Sequence, residues 1–159
     1  PKFLVCDEAV ASLDVSIQSQ IINLFKKLRD EYDLTYLFIS HNIALLKYLC
    51  DAIGVMYLGE LVEYSDAETL FENPMHPYTQ ALFRAIPVPD PASERSRAEQ
   101  KGLEGEVPSP LNPPPGCAFS TRCPMAREIC RTRAPEMREV CSGHRLKCWL
   151  NVEQEEKNG

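Results

Sequence analysis

The first part of the chain alternates between short apolar runs and segments with helical periodicity. Phe3–Cys6 and Tyr36–Ile39 are apolar runs of the kind found in strands buried within a parallel sheet. Apolar residues recur at helical spacing between them, at Ile17, Ile21, Ile22, Phe25 and Leu28. Asp14 or Ser16 can cap that helix, and Ile43–Leu49 predicts a second one. The alternation predicts an α/β fold, a parallel sheet with crossover helices.

After these elements the pattern changes to a hairpin and then to proline-rich sequence. Ile53–Leu58 and Leu61–Tyr64 predict two strands joined at Gly59-Glu60. Residues 87–116 hold eight of the thirteen prolines, which predicts a linker or an extended strap. Residues 151–159 are polar and acidic, and they predict a disordered tail.

Length and charge narrow the class of protein. The chain has 159 residues, and its 17 Lys and Arg against 23 Asp and Glu leave a net charge of −6. This acidic balance argues against a chain that coats nucleic acid. No apolar run approaches the roughly 20 residues that span a bilayer, and no signal peptide is visible. Because Pro1 stands directly before an apolar run, we expect the chain to be a fragment or a processed product.

Cysteines are concentrated near the end of the chain, where the charge also changes sign. Five of the seven lie within residues 117–148, which carry a net charge of +4, against −8 for residues 1–116. An odd number of cysteines without a secretion signal favours a metal site in a reducing compartment over a disulfide scaffold.

The spacing of these cysteines leaves the kind of site open. Cys117, Cys123, Cys130 and Cys148 are separated by 5, 6 and 17 residues, unlike the paired C-x-x-C of a zinc ribbon. Four thiolates can surround a zinc ion or a cubane iron–sulfur cluster, and the nearby basic residues would offset their charge. The alternative is four reduced, half-buried thiols without metal. Aromatic residues are too sparse here for base stacking, so nucleic acid is not a predicted partner.

Polar residues follow both predicted strands of the parallel sheet. The first strand runs into Asp7-Glu8 and the second into Ser40-His41. Chemistry in open α/β sheets gathers beyond the carboxyl ends of the strands. Asp7 is therefore a candidate Mg²⁺ ligand, Glu8 a candidate to polarise an attacking water, and His41 a partner for phosphate or that water. The alternative is that Asp7 caps a turn and His41 caps a helix.

Two longer strings resemble the distal half of an ABC transporter ATPase. They are FLVCDEAVASLD at 3–14, similar to the Walker B strand and D-loop, and LFISHN at 37–42, similar to the switch-histidine strand. Ala9 stands where the family usually has Pro, and Ala11-Ser12 where it usually has Ser-Ala, which affects D-loop geometry only. The resemblance implies these roles: Asp7 associated with Mg²⁺, Glu8 the general base, Asp14 the D-loop aspartate at a dimer interface, and His41 the γ-phosphate sensor.

A second resemblance narrows the family to the ATPases of oligopeptide/dipeptide ABC importers. It rests on MYLGELVEYSDAETLFENPMHPYTQALFRAIPVPDP at 56–91 and GEVPSPLNPPPGCAFSTRCPMA at 105–126. Within it, His76 is interpreted as a turn former without a catalytic role. In some members four cysteines in this pattern are associated with a [4Fe–4S] cluster. That implies a cluster on Cys117, Cys123, Cys130 and Cys148, with Cys141 unassigned.

The resemblance also implies a domain order, cofactors and partners. Residues 1–72 would be the C-terminal half of an ABC ATPase domain, 73–116 a C-terminal helix and Pro-rich strap, and 117–150 a Cys-rich module. ATP and Mg²⁺ would be cofactors. A second ATPase subunit, two permease subunits and an extracytoplasmic peptide-binding protein would be partners, at the cytoplasmic face of a bacterial or archaeal membrane.

Two motifs that the family places upstream do not occur in this sequence. There is no G-x-x-x-x-G-K-[ST] phosphate loop and no Leu-Ser-Gly-Gly-Gln-like signature. We therefore expect the chain alone to be inactive as an ATPase, although the longer subunit would energise peptide import. The alternative function is a stand-alone four-cysteine metal or redox module with no enzymatic activity.

Overall fold

A computed structural model of the chain describes residues 1–11, 13–86 and 105–150. It divides into two compact units, unit 1 (Pro1–Asp51) and unit 2 (Ala52–Gly159). Helices and strands both contribute, so the predicted mixed α/β class is confirmed. The predicted tail at 151–159 and most of the predicted strap, residues 87–104, lie outside the described residues. Among the helices that are described, none has the length and apolar character needed to cross a membrane.

Unit 1 has the predicted alternation of strands and helices. Its elements are β1 (Phe3–Asp7), α1 (Val15–Tyr32), β2 (Thr35–Ile39) and α2 (Ile43–Leu49). The two strands pair in parallel, as predicted, and α1 is the crossover between them. The Asp14 carboxylate caps α1 by accepting the Ile17 N–H at 3.0 Å. Asn42 rather than His41 caps α2, by accepting the Leu45 N–H at 3.3 Å.

The core of unit 1 covers one face of its sheet. Val10, Leu45 and Leu49 are buried, and the inward face of β2 packs against them through Phe38. The opposite face is about half exposed at four apolar positions: Phe3, Val5, Leu37 and Ile39. Parallel sheets are ordinarily covered on both faces. Unit 1 by itself therefore leaves apolar surface of its sheet in contact with solvent.

Unit 2 begins with the predicted hairpin and continues into the cysteine-rich stretch. Its elements are β3 (Ala52–Tyr57), β4 (Glu60–Asp66), α3 (Ala67–Glu72), α4 (Pro77–Arg84), α5 (Glu128–Thr132), β5 (Arg138–Cys141) and β6 (His144–Leu146). The hairpin turn is Leu58-Gly59, one residue earlier than expected from the sequence. Both turn residues have positive φ, 47° and 80°, as a two-residue type I′ turn requires.

A single antiparallel sheet joins the hairpin to the cysteine-rich stretch. Its strand order is β3-β4-β6-β5, so β4 pairs with a strand that follows it by some 80 residues of sequence. The Lys147 N–H extends this pairing by donating to the Val62 carbonyl at 2.9 Å. The shared sheet could not be predicted from the sequence, because a strand as short as β6 has no hydrophobic periodicity of its own.

Candidate functional site

Glu8 and His41 are in contact at the edge of the parallel sheet in unit 1. Asp7 is paired with Ile39, so the residues that follow β1 and β2 emerge at the same edge. One carboxylate oxygen of Glu8, Oε1, lies 2.9 Å from His41 Nδ1 and accepts the backbone N–H of His41 at 3.2 Å. Two residues proposed from separate stretches of sequence are thus brought together.

Glu8 has an uncommon backbone conformation. Its φ is 48°, in the left-handed region that residues other than glycine rarely occupy. Its N–H donates to the carbonyl of Ile39, the last residue of β2, at 2.9 Å. Its carboxylate contacts His41, which follows that strand, so both contacts stabilise this conformation. Backbone strain of this kind is concentrated at functional sites.

The geometry leaves this pair accessible to a ligand. The side chains of His41 and Glu8 are 78% and 40% exposed. An ionised carboxylate only accepts hydrogen bonds, so the proton between them belongs to His41 Nδ1. His41 Nε2 is then the remaining ring atom: in the neutral ring it accepts a hydrogen bond from a water, and with both nitrogens protonated it donates one to a phosphate oxygen. A carboxylate and an imidazole so arranged can hold a water and take its proton.

The other two residues proposed for this edge are placed differently. Asp7 is the last residue of β1 and is exposed beside Glu8. Mg²⁺ in phosphoryl-transfer sites is commonly held by one or two carboxylates together with waters and substrate phosphates. A single exposed Asp7 therefore fits that cofactor. The Asp14 carboxylate is engaged as the cap of α1, and no contact joins it to Glu8 among the described residues.

Four cysteines of unit 2 line one small cavity, named the cysteine cavity below. They are Cys117, Cys123, Cys130 and Cys148, and the cavity wall also includes His76, Phe119, Met125 and Trp149. Cys141 is exposed and is not among the lining residues. All seven cysteines of the chain are described, and none forms a disulfide. The four candidates that the spacing had singled out thus face a common space.

Backbone N–H groups approach the sulfurs of three of these cysteines. The donors are the N–H groups two residues further along the chain: Phe119 for Cys117, Met125 for Cys123 and Leu150 for Cys148. Burial raises the pKa of all three thiols, that of Cys148 to about 11, while each of these N–H groups acts in the opposite direction. Donors at sulfur favour the thiolate, which is the form that binds metal.

The cysteine cavity does not form a site for a single ion. Within residues 1–11, 13–86 and 105–150, no three His, Cys, Asp or Glu side chains lie close enough to hold one metal ion. The four-ligand zinc site considered from the spacing is therefore not assembled. A cluster of iron and sulfide is wider than one ion, so its four thiolates stand farther apart around it.

Gly116 allows the segments that carry Cys117 and Cys130 to meet. The Cys117 N–H donates to the Cys130 carbonyl at 2.7 Å. A Cβ at position 116 would lie 2.3 Å from that same carbonyl oxygen, with further backbone atoms of residues 130 and 131 inside 3.0 Å. Any side chain here would force the two backbones apart, and the cavity would lose its shape.

A buried polar pair in unit 2 was not found from the sequence. Glu63 and His144 are both fully buried, with Glu63 Oε1 lying 2.8 Å from His144 Nε2. Glu63 also accepts the N–H groups of Met75 at 2.7 Å and His76 at 3.1 Å. One carboxylate thus joins β4, β6 and the start of α4. The available signal was an acidic residue inside an apolar strand, between Val62 and Tyr64.

Comparison with known proteins agrees with the resemblance of the motifs. Residues 62–130 match the family described as oligopeptide/dipeptide transporter, C-terminal region. The chain is 51% identical, over 93% of its length, to a Brucella ovis protein named as a putative peptide import ATP-binding protein. It is 47% identical to the oligopeptide transport ATP-binding proteins AppF of Bacillus subtilis and OppF of Salmonella typhimurium, over 94% and 93% of its length. The matches cover 46%, 45% and 44% of these relatives, so the chain spans about half their length.

Proposed function

Since this chain belongs, over the length that it covers, to the ATP-binding subunits of oligopeptide/dipeptide ABC transporters, we propose that the edge of its parallel sheet beyond β1 and β2 activates the attacking water during ATP hydrolysis. The observation that carries this proposal is the 2.9 Å contact between Glu8 and His41 at the ends of two parallel strands. Hydrolysis at this edge would energise peptide import, the process for which the relatives are named.

Each residue of the edge has a distinct part in this proposal. Glu8 takes the proton of the attacking water, and its contact with His41 Nδ1 fixes the orientation of the imidazole ring. The doubly protonated His41 ring donates its Nε2–H to a γ-phosphate oxygen, and Asp7 would hold Mg²⁺ directly or through a water. The ion, when bound, offsets the charge that develops on the transferring phosphoryl group.

The remaining parts of the machinery would come from outside this sequence. The phosphate loop is absent from the 159 residues, so we expect this chain alone to hydrolyse no ATP. A second ATPase subunit would supply the signature loop, with Asp14 at the interface between the two. Two permease subunits and an extracytoplasmic peptide-binding protein would complete an importer, with this subunit at the cytoplasmic face of the membrane.

His41→Ala tests the proposal in a subunit of the relatives' length that contains this sequence, assembled with its partners. We expect ATP turnover, measured by phosphate release, to fall about 10²-fold, because the water and the γ-phosphate lose an orienting group. Tyr48→Ala, a change to a 67% exposed side chain on α2, is the control and should keep wild-type turnover. Turnover within twofold of wild type in His41→Ala would contradict the assignment.

We infer a second function for unit 2: the cysteine cavity holds a [4Fe–4S] cluster. Four thiols around one space and three backbone N–H groups at their sulfurs support this inference. The net charge of +4 over residues 117–148 would offset the negative charge of cluster and thiolates. Such a cluster, when bound, supplies a one-electron redox centre. This function would not require ATP hydrolysis.

Anaerobic purification with analysis of iron and acid-labile sulfide tests the cluster. We expect about four of each per chain, with a broad visible absorption band, since all four cysteine ligands that such a cluster needs are present. Cys130→Ser, a change at a buried lining residue, should lose iron and sulfide. Cys141→Ser is the matched control outside the cavity and should retain both. A wild-type chain without iron or sulfide would refute the inference.

A further inference from the structure

The histidine that precedes α4 lines the cysteine cavity. His76 is 1% exposed and belongs to the same wall as the four cysteines. It is the N-cap of α4, and its Nδ1 accepts the N–H of Tyr78 at 3.1 Å. The sequence alone indicated only a turn former at this position. The structure makes it a buried polar side chain beside four thiols.

The hydrogen bond at Nδ1 determines which nitrogen of His76 carries a proton. A nitrogen that accepts a backbone N–H must present its lone pair, so the proton of a neutral ring is on Nε2. Burial lowers the pKa of His76 to about 4, so the ring is neutral near pH 7. Among the residues that the structure describes, Nε2 has no hydrogen-bond partner.

Contacts on several sides hold the ring of His76 in place. Its backbone N–H donates to Glu63 Oε2 at 3.1 Å, and its ring lies 5.7 Å from the ring of Phe119, centroid to centroid. The helix cap anchors the edge that carries Nδ1. A ring held in this way presents the Nε2–H donor in a defined position.

We propose that the Nε2–H of His76 donates a hydrogen bond to a sulfur of the cluster held by Cys117, Cys123, Cys130 and Cys148. This proposal rests on the second proposed function. Thiolate and sulfide sulfurs accept N–H donors, and such donors shift the reduction potential of iron–sulfur clusters. Because reduction adds negative charge to the cluster, a donor at sulfur favours the reduced form. His76 is therefore a positioning residue that raises the cluster's reduction potential.

Two substitutions of His76 distinguish the effect of losing the Nε2–H donor from the effect of losing the helix cap at Nδ1. In His76→Asn the amide oxygen takes the place of Nδ1 as acceptor of the Tyr78 N–H, since Asn is a good N-cap, but nothing replaces Nε2–H. His76→Gln has a longer side chain whose amide N–H can again reach toward the cavity. Gln80→Ala is the control, because Gln80 holds the preceding turn through the Pro74 carbonyl at 2.9 Å and does not line the cavity.

The midpoint potential of the cluster, from anaerobic titration of the full chain with dithionite, is the measurement. For His76→Asn we expect a potential lower by about 59 mV, a tenfold change in the ratio of reduced to oxidised cluster for one electron. His76→Gln should recover part of this shift, and Gln80→Ala should show none. A wild-type potential in His76→Asn with iron and sulfide retained would overturn the role of His76 and leave the cluster assignment intact.

A measurement on the unsubstituted chain covers the case in which the variants bind no iron. Pulsed electron paramagnetic resonance of the reduced cluster, in protein labelled with ¹⁵N-histidine, should detect magnetic coupling to a histidine nitrogen. Absence of that coupling in a loaded wild-type chain would overturn the proposal. Absence of iron and sulfide from the wild-type chain would instead refute the cluster itself, and with it the hydrogen bond.

Discussion

Glu8→Gln, in a subunit of the relatives' length that contains this sequence, is expected to keep ATP binding and to reduce ATP turnover by about 10²- to 10⁴-fold. Glutamine has the shape of glutamate and can still accept the backbone N–H of His41, which lies 3.2 Å from Glu8 Oε1. It cannot take a proton from water. Phosphate release and nucleotide binding, measured on the same preparation, distinguish loss of chemistry from loss of affinity.

The control for this change is a carboxylate of unit 1 away from the edge. Glu31 is exposed on α1, and Glu31→Gln removes the same charge without touching Glu8 or His41. We expect Glu31→Gln to hydrolyse ATP at the wild-type rate. If Glu8→Gln retained turnover within about twofold, Glu8 would not be the general base, and the contact with His41 would be structural only.

Glu63→Leu is expected to lower the free energy of unfolding of unit 2 by about 3–5 kcal/mol, the usual cost of removing one partner of a buried polar pair. Leucine has a similar volume but accepts no hydrogen bond. The N–H groups of Met75 and His76 and the Nε2 of His144 would then be buried without their acceptor. Each unsatisfied buried donor costs about 1–3 kcal/mol.

The chain offers a local reporter and a matched control for this measurement. Trp149 is the chain's one tryptophan and is buried in unit 2, so its fluorescence during urea denaturation reports on that unit. Glu60 lies on the same strand, is 47% exposed and contacts Lys147 Nζ at 3.1 Å. Glu60→Leu should cost less than about 1 kcal/mol, as exposed ion pairs do. Equal losses in the two variants would show that Glu63 is not the centre of a buried network.

The local elements of unit 1 were predictable because their signals are local. Apolar runs marked β1 and β2, helical spacing marked α1, and the predicted helix over Ile43–Leu49 is confirmed without a shift. The candidate residues Glu8 and His41 could be found for the same reason, since each closely follows an apolar run. Their contact follows from parallel pairing, which the alternation of strand and helix indicates.

The long-range strand pairing and side-chain contacts of unit 2 are not marked by any local hydrophobic pattern in the sequence. β6 is three residues long, and it pairs with β4 across a proline-rich stretch, so no periodicity links them. Glu63 lay inside an apparently apolar strand, and its partners Met75, His76 and His144 come from distant places along the chain. A buried carboxylate is stable only when distant donors converge on it, and convergence is a property of the folded chain.

The sequence by itself determined the family, the fold class and which side chains are candidates for the two sites. Motifs, spacing and periodicity are properties of residues that lie close together in the sequence. The sequence also singled out four cysteines and left Cys141 aside. Only the tertiary structure decided that those four share a cavity, that the site is not built for a single ion within the described part of the chain, and that His76 stands in its wall. The physical reason is that distances between residues far apart in sequence depend on how strands pair and side chains pack, and local pattern does not encode those distances.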